Sequence, residues 1–161
     1  MIGVTRMPRV LNHAQVRALR TLAHRAHHDG DGGHGHGGGD EIIPWAADAI
    51  LARMKRFWGA PFAVSPAMKV YRLRGASSAV PLHVDTDFVD AHGHRALYSV
   101  LVRLNDDYRG GETLFGGAPG PRWSVGDALV FKHDVPHEGR MVTRGEKLVL
   151  KTDLMFAAEG R

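Results

Sequence analysis

Apolar residues recur along this chain with two different spacings, and the change from one to the other falls near Ala63. In the first part, Val16, Leu19, Ala23 and Ala26 lie three or four apart and share one face of a helix. Asn12 with Gln15 three residues later marks its start, because each side chain can accept from the other's backbone N–H. The pattern stops at His27-His28-Asp29-Gly30, and only Gly, His and Asp follow as far as Asp40. With no apolar group to bury, residues 29–40 are expected to be a flexible loop. Pro44 opens a second helix, with Ala47, Ile50, Leu51, Met54 and Phe57 or Trp58 as its apolar stripe. Gly59 and Pro61 stop it. Beyond Ala63 the pattern becomes seven or eight short strands separated by Gly, Pro and Asp turns. That is enough for two antiparallel sheets closing on each other. Helices first and strands afterwards predicts a mainly β fold with flanking helices (α+β). The expected form is a double-stranded β-helix, or jelly roll, with two N-terminal helices packed outside a distorted barrel.

Composition narrows this picture. At 161 residues and 43% hydrophobic, one domain over 1–161 is expected, with a helical part at 10–60 and a barrel core at 67–157. There is no cysteine, so the fold uses no disulfide. Met1 to Pro8 has no continuous apolar segment of the signal-peptide kind, and no apolar run approaches ~20 residues. The expectation is a soluble, cytoplasmic protein with no membrane partner. A net charge of +4 raises the question of nucleic acid. The arginines are dispersed, with no run of five or six like charges, so a solvated basic surface is favoured and no nucleic-acid partner is expected. Oligomeric state stays open.

Candidate chemistry begins at His83-Val84-Asp85, inside the apolar run Ala79-Val80-Pro81-Leu82-His83-Val84. On a strand His83 and Asp85 point the same way. An imidazole and a carboxylate on one face are two thirds of a facial triad, which leaves open positions for oxygen chemistry on Fe(II). Three-letter matches are common, so this motif is weak by itself. Downstream, Leu104-Asn105 ends an apolar run and Gly110-Gly111-Glu112-Thr113-Leu114-Phe115 follows. Gly126-Asp127 then turns into Ala128-Leu129-Val130-Phe131, and His133-Asp134-Val135-Pro136-His137 precedes a strand that begins near Lys147.

Taken together and in this order, the motifs from Met68 to Phe156 resemble the Fe(II)/2-oxoglutarate-dependent oxygenase domain of the prolyl 4-hydroxylase type. The resemblance implies Fe(II) held by His83, Asp85 and His137, with His137 on a strand facing the one that carries His83. His133 is the competing distal ligand. It implies 2-oxoglutarate as cosubstrate with O2, and allows ascorbate as an accessory. Lys147, ten residues past His137, stands where the family's basic residue holds the C5 carboxylate. Alternation puts Lys147, Val149, Lys151 and Asp153 on one face of that strand, so Lys151 is a helper or an alternative anchor. Arg103 replaces a frequent family tyrosine, and would contact a carboxylate if it faces inward with Ser99 and Leu101. Tyr71 is a candidate cosubstrate donor or a core aromatic.

The implied activity is hydroxylation of a C–H bond in an amino-acid, peptide or related small substrate, with release of succinate and CO2. The segment Thr86 to His94 is expected to form a lid beside the metal. Two other classes remain. A cupin-type metalloenzyme without 2-oxoglutarate shares the barrel, but normally has two histidines where this chain has His83 and Asp85. A non-enzymatic metal-binding barrel has the Gly-His segment as its best support. A nucleic-acid demethylase of the same superfamily needs two downstream arginines about six apart, whereas Arg140 and Arg144 are four apart and come early.

Overall fold

The computed structural model describes residues 3–25, 41–58, 62–65 and 67–157. Ala26 and the Gly-His segment 29–40 lie outside these described residues. In chain order the elements are β1 (Val4–Met7), α1 (His13–Arg25), β2 (Glu41–Ile42), α2 (Pro44–Trp58), β3 (Phe62–Val64), β4 (Ala67–Gly75), β5 (Val80–His83) and β6 (Arg95–Arg103). There follow β7 (Arg109–Gly110), β8 (Thr113–Phe115), β9 (Ala118–Pro119), β10 (Ala128–Lys132), β11 (His137–Gly139) and β12 (Val142–Phe156). No helix among the described residues is long and apolar enough to cross a membrane.

The predicted cap of α1 is present: Gln15 N–H donates to Asn12 Oδ1 and Asn12 N–H to Gln15 Oε1, each at 2.9 Å. Val16, Leu19 and Ala23 are its buried face. In α2 the most buried positions are Ala46, Ile50 and Met54, with Ala47 and Leu51 half-buried. The stripe is therefore centred one residue earlier than its sequence reading.

Two curled antiparallel sheets make the body. The major sheet runs β1-β10-β6-β12-β4-β2, with β3 and β7 also pairing β12, and the minor sheet runs β5-β11-β8-β9. Among the described residues ten strands, β3 to β12, lie from Phe62 onward, against the seven or eight expected beyond Ala63. Two of them, β7 and β9, are two-residue pairings, too short to show an alternation. Two strands, β1 and β2, also precede α2, so the order is not helices first and strands afterwards.

The register separates the two faces of the major sheet. Lys147 pairs with Leu73, Val149 with Tyr71 and Arg103, and Lys151 with Leu101. Directly paired residues share a face, so these side chains all turn toward the minor sheet. The opposite face carries Val100, Val102, Leu148, Leu150 and Leu154, which pack with Leu19, Ile50 and Met54 of the helices in one buried cluster. Between the sheets the apolar contribution is smaller: Phe115, Leu129 and Phe131, flanked by Leu101, Trp123 and Val135.

The Gly126-Asp127 turn ties the N-terminal segment to this body. Gly126 has φ +85°, and a Cβ there would stand 2.5 Å from Leu11 O, so both its conformation and its surroundings require glycine. Its carbonyl accepts from Val10 N–H at 2.8 Å. Asp127 is buried and accepts from Arg9 N–H, Ser124 N–H and the Arg6 guanidinium, at 2.8 to 2.9 Å.

Candidate metal and cosubstrate site

β5 and β11 lie side by side in the minor sheet, and His83 pairs directly with His137. This corrects the expected placement of His137 on a facing strand. Direct pairing sends both imidazoles to the same side, with ring centroids 4.2 Å apart. Asp85, just past the end of β5, is held by its N–H to His133 O at 3.0 Å and turns its carboxylate toward both rings.

Each ring is oriented by its own chain. His83 Nδ1 lies 2.8 Å from Pro81 O, and His137 Nδ1 lies 3.0 Å from Val135 O. A carbonyl only accepts, so Nδ1 carries the proton in both rings and the Nε2 lone pair is left for a ligand. The two Nε2 atoms stand 3.8 and 3.7 Å from Asp85 oxygens. The three residues thus offer one ligand atom each within 4.8 Å of one another. Metal bonds of about 2.1 Å put such atoms about 3 to 4 Å apart, so the set fits a divalent transition metal on one triangular face.

The electrostatics favour the ligand forms. Burial pulls the His137 pKa below its ordinary value, which keeps the ring neutral. Burial alone would push Asp85 up. Hydrogen bonds from Lys151 and Ser99 outweigh it and hold the carboxyl below the usual carboxylate range. Lys151 Nζ donates to Asp85 Oδ1 and Ser99 Oγ to Asp85 Oδ2, both at 2.5 Å. Ser99 was not singled out from the sequence as a site residue; its parity with Leu101 and Arg103 grouped it with them but left open whether that face turns inward.

His133 does something else. Its Nδ1 is 3.0 Å from Asp87 Oδ1 and its Nε2 is 3.1 Å from Asp153 Oδ1. Burial would lower its pKa, but the two carboxylates outweigh it and raise it. With both nitrogens spent on acids, the ring clamps the segment after Asp85 onto β12. Beyond that clamp, Asp90 Oδ1 accepts from His92 and His94 N–H and Val89 bridges Arg95, so the segment Thr86 to His94 folds back on itself.

Deeper in the barrel, Lys147 is only 5% exposed, and Nζ donates to Gly111 O at 2.6 Å and Thr113 Oγ1 at 3.4 Å. Burial, with Arg103 adding repulsion, pushes its pKa down to about 8. No ion pair to Lys147 occurs among the described residues. A buried ammonium held by two neutral acceptors is suited to an incoming carboxylate. Thr113, legible only as part of Gly110-Gly111-Glu112-Thr113, supplies a hydroxyl at the same point.

Tyr71 lies on the inward face of β4 opposite Val149, with Lys69 Nζ 5.5 Å from its ring centre. Arg103 also faces inward, at the end of β6 away from Ser99. Its Nε and Nη1 donate to Asn105 O and Trp123 O at 2.9 and 2.8 Å, and the guanidinium lies over Tyr108. The bidentate fork expected for a carboxylate is therefore engaged by backbone carbonyls.

No family model matches the sequence, and no curated protein matches it. Solved structures do match in fold. The viral collagen prolyl hydroxylase of Paramecium Bursaria Chlorella virus-1, in complex with 2-oxoglutarate, superposes with a TM-score of 0.73 at 16% identity, over 98% of this chain and 97% of that one. A Pseudomonas putida prolyl-4-hydroxylase matches with a TM-score of 0.67 at 19% identity, over 98% and 95%. HygX from Streptomyces hygroscopicus, with nickel and 2-oxoglutarate bound, gives 0.66 at 16% identity, over 95% and 82%. The chain has the double-stranded β-helix fold of these oxygenases.

Proposed function

We propose that this protein is a non-haem Fe(II)- and 2-oxoglutarate-dependent dioxygenase. It hydroxylates a C–H bond of an amino-acid, peptide or related small substrate in the manner of the prolyl 4-hydroxylases. The observation that carries the proposal has two parts. Two histidine Nε2 atoms and a carboxylate converge on one another, and a buried lysine without a carboxylate partner among the described residues lies on the inward face of β12, the face that also carries Lys151. Ordinary structural needs explain neither, since isolating a buried ammonium costs several kcal/mol unless a counter-charge arrives.

In this reading His83, Asp85 and His137 hold the metal, and a three-residue set leaves positions for cosubstrate and O2. When bound, Fe(II) with 2-oxoglutarate supplies oxidation of the substrate C–H coupled to decarboxylation of the cosubstrate to succinate and CO2. The chain's own residues supply geometry. Pro81 O and Val135 O fix the tautomers and planes of the two rings. Ser99 and Lys151 hold the Asp85 carboxylate ionised and in place. Lys147 and Thr113 receive the distal carboxylate of the cosubstrate, which gives Nζ its missing counter-charge. Phe115 and Phe131, whose rings lie 6.1 and 4.7 Å from that of His137, keep water from that side of the metal.

The test is succinate formation from 2-oxoglutarate by the purified protein, with and without Fe(II), in the absence of any prime substrate. Slow turnover that requires both Fe(II) and O2 and is lost in His137→Ala is the expected result. Metal binding with no 2-oxoglutarate consumption, and no effect of 2-oxoglutarate on the metal's spectrum, would instead indicate a metal-binding barrel.

A further inference from the structure

The molecule has a polar cleft of which the proposed chemistry uses only Thr113. It encloses about 740 Å³ between the β8–β9 hairpin and the far ends of β1, β6 and β10. Its lining includes Thr113 and Leu129, so it abuts the barrel interior, but none of His83, Asp85, His137, Lys147 and Lys151 lines it. Four arginines from separate segments meet there: Arg6, Arg103, Arg109 and Arg122. Among the described residues Glu112 is the one acid in the lining.

Convergence of like charges is unfavourable unless something offsets it. Elsewhere on the molecule some arginines have carboxylate partners: Arg72 and Arg74 share Glu146, Arg95 lies near Asp87, and Arg140 near Glu138, whereas others, such as Arg17, Arg20 and Arg144, stand singly without one among the described residues. In the cleft only Arg6 is so compensated, by Asp127. Among the described residues no ion pair is made by Arg103, Arg109 or Arg122. The two carbonyls that bind Arg103 fix its plane without neutralising its charge, and the Tyr108 ring supports it from one side. The site therefore combines a pre-oriented guanidinium with two unpaired ones on a wall that also carries Trp123. With Nε and Nη1 of Arg103 spent on carbonyls, Nη2 is the donor nitrogen it has left, while the forks of Arg109 and Arg122 match the oxygens of phosphates and carboxylates.

We propose that this cleft is a second, metal-independent binding site for a small polyanion, one that bears phosphate or several carboxylates. The charge count favours more than one negative charge on the ligand, and the rigid carbonyl-held Arg103 favours a defined pose over diffuse attraction. The site touches the cosubstrate pocket through a shared wall. Thr113 lines the cleft and also contacts Lys147 Nζ, and Arg103 repels that lysine. An anion beside Arg103 would screen that repulsion, so occupancy should strengthen the hold of Lys147 on a carboxylate.

The experiment is calorimetric titration of the protein at low ionic strength with inorganic phosphate and, separately, with tricarballylate. Wild type, Arg109→Gln/Arg122→Gln and Lys147→Ala are compared. One saturable equivalent is expected in wild type and in Lys147→Ala, weakened at least about tenfold in the double variant. The exposed charge reversal Arg122→Glu should give the same direction of effect. Preference for one probe identifies the chemical source, phosphate ester or polycarboxylate. Absence of saturable binding by either probe overturns the proposal. So does binding that survives in both arginine variants but disappears in Lys147→Ala, which would put the anion in the cosubstrate pocket.

Discussion

Lys147 and the pair His133 and His137 show how a residue takes its work from its surroundings. Lys147 is buried against neutral acceptors with its pKa lowered to about 8, so near neutral pH it is a cation awaiting a partner. Lys147→Ala should raise the Kd for 2-oxoglutarate by roughly 30- to 1000-fold, the loss of a charge-assisted contact of about 2–4 kcal/mol, while iron content is unchanged. Binding that needs the protonated lysine also sets a pH dependence. The free-enzyme pKa is the lower one and a bound carboxylate raises it, so Kd should be flat below pH 8 and climb about tenfold per pH unit above it. A Kd indifferent to pH between 7 and 9 in direct titration would mean another group anchors the carboxylate. The histidines divide by their partners. His137 has one nitrogen on a carbonyl and the other free for a ligand, whereas both nitrogens of His133 face acids. Metal analysis should therefore find iron lost from Asp85→Ala and His137→Ala but retained in His133→Ala.

At the level of elements, what the sequence made legible was whatever ran long enough to repeat. The α1 cap and face, the Pro44 start of α2, and the alternation of Lys147, Val149, Lys151 and Asp153 all stand in the structure. Each rests on several residues obeying one period. The two-residue strands β2, β7 and β9 had no period to show, and β1 was hidden because its exposed and buried positions do not alternate cleanly. The placement of His137 failed for a different reason. Adjacency of β5 and β11 is a long-range pairing, and neither strand's own composition specifies its neighbour. The stabilising role of Asp127 was likewise invisible, because two of its three donors come from β1 and the following turn, about 120 residues earlier in the chain. That carboxylate joins β1, the Arg9 turn and the Gly126-Asp127 turn. Asp127→Ala should lower unfolding free energy by about 1–2 kcal/mol, since it leaves two part-buried N–H donors and the Arg6 guanidinium without their acceptor. Although burial opposes ionisation, hydrogen bonds from Arg9, Ser124 and Arg6 outweigh it and depress the pKa. Its contribution is thus present above the unfolded carboxyl pKa and lost as pH falls through the folded one. Urea titrations of wild type and variant should converge in acid; a constant gap down to pH 2 would contradict this.

On the scale of the whole molecule, the two sheets are unequally secured. The major sheet is packed on its outer face by both helices through a large apolar cluster. The minor sheet leans on the interior, where among the described residues a small buried apolar group, Phe115, Leu129 and Phe131 flanked by Leu101, Trp123 and Val135, shares the space with charged and polar side chains. Yet β5 and β11, which carry His83 and His137, belong to this weaker layer, and Asp85 is fastened through Ser99 and Lys151 to the stronger one. A metal bound by all three would therefore bridge the layers. Local opening reflects the least secured contacts, so native-state hydrogen exchange of the metal-free protein should be faster in β5, β8 and β11 than in β6, β10 and β12. Adding redox-inert Mn(II) or Ni(II) should slow exchange mainly in the minor sheet. By mass action, metal at a hundred times its Kd adds about 2.7 kcal/mol. For a chain of 161 residues that corresponds to a Tm rise of about 5–10 °C. 2-Oxoglutarate should add a further rise only when the metal is present, because its chelating end has no partner otherwise. His137→Ala should abolish both increments. A Tm gain from 2-oxoglutarate alone, or metal protection spread evenly over both sheets, would show that the triad is not the element that ties them together.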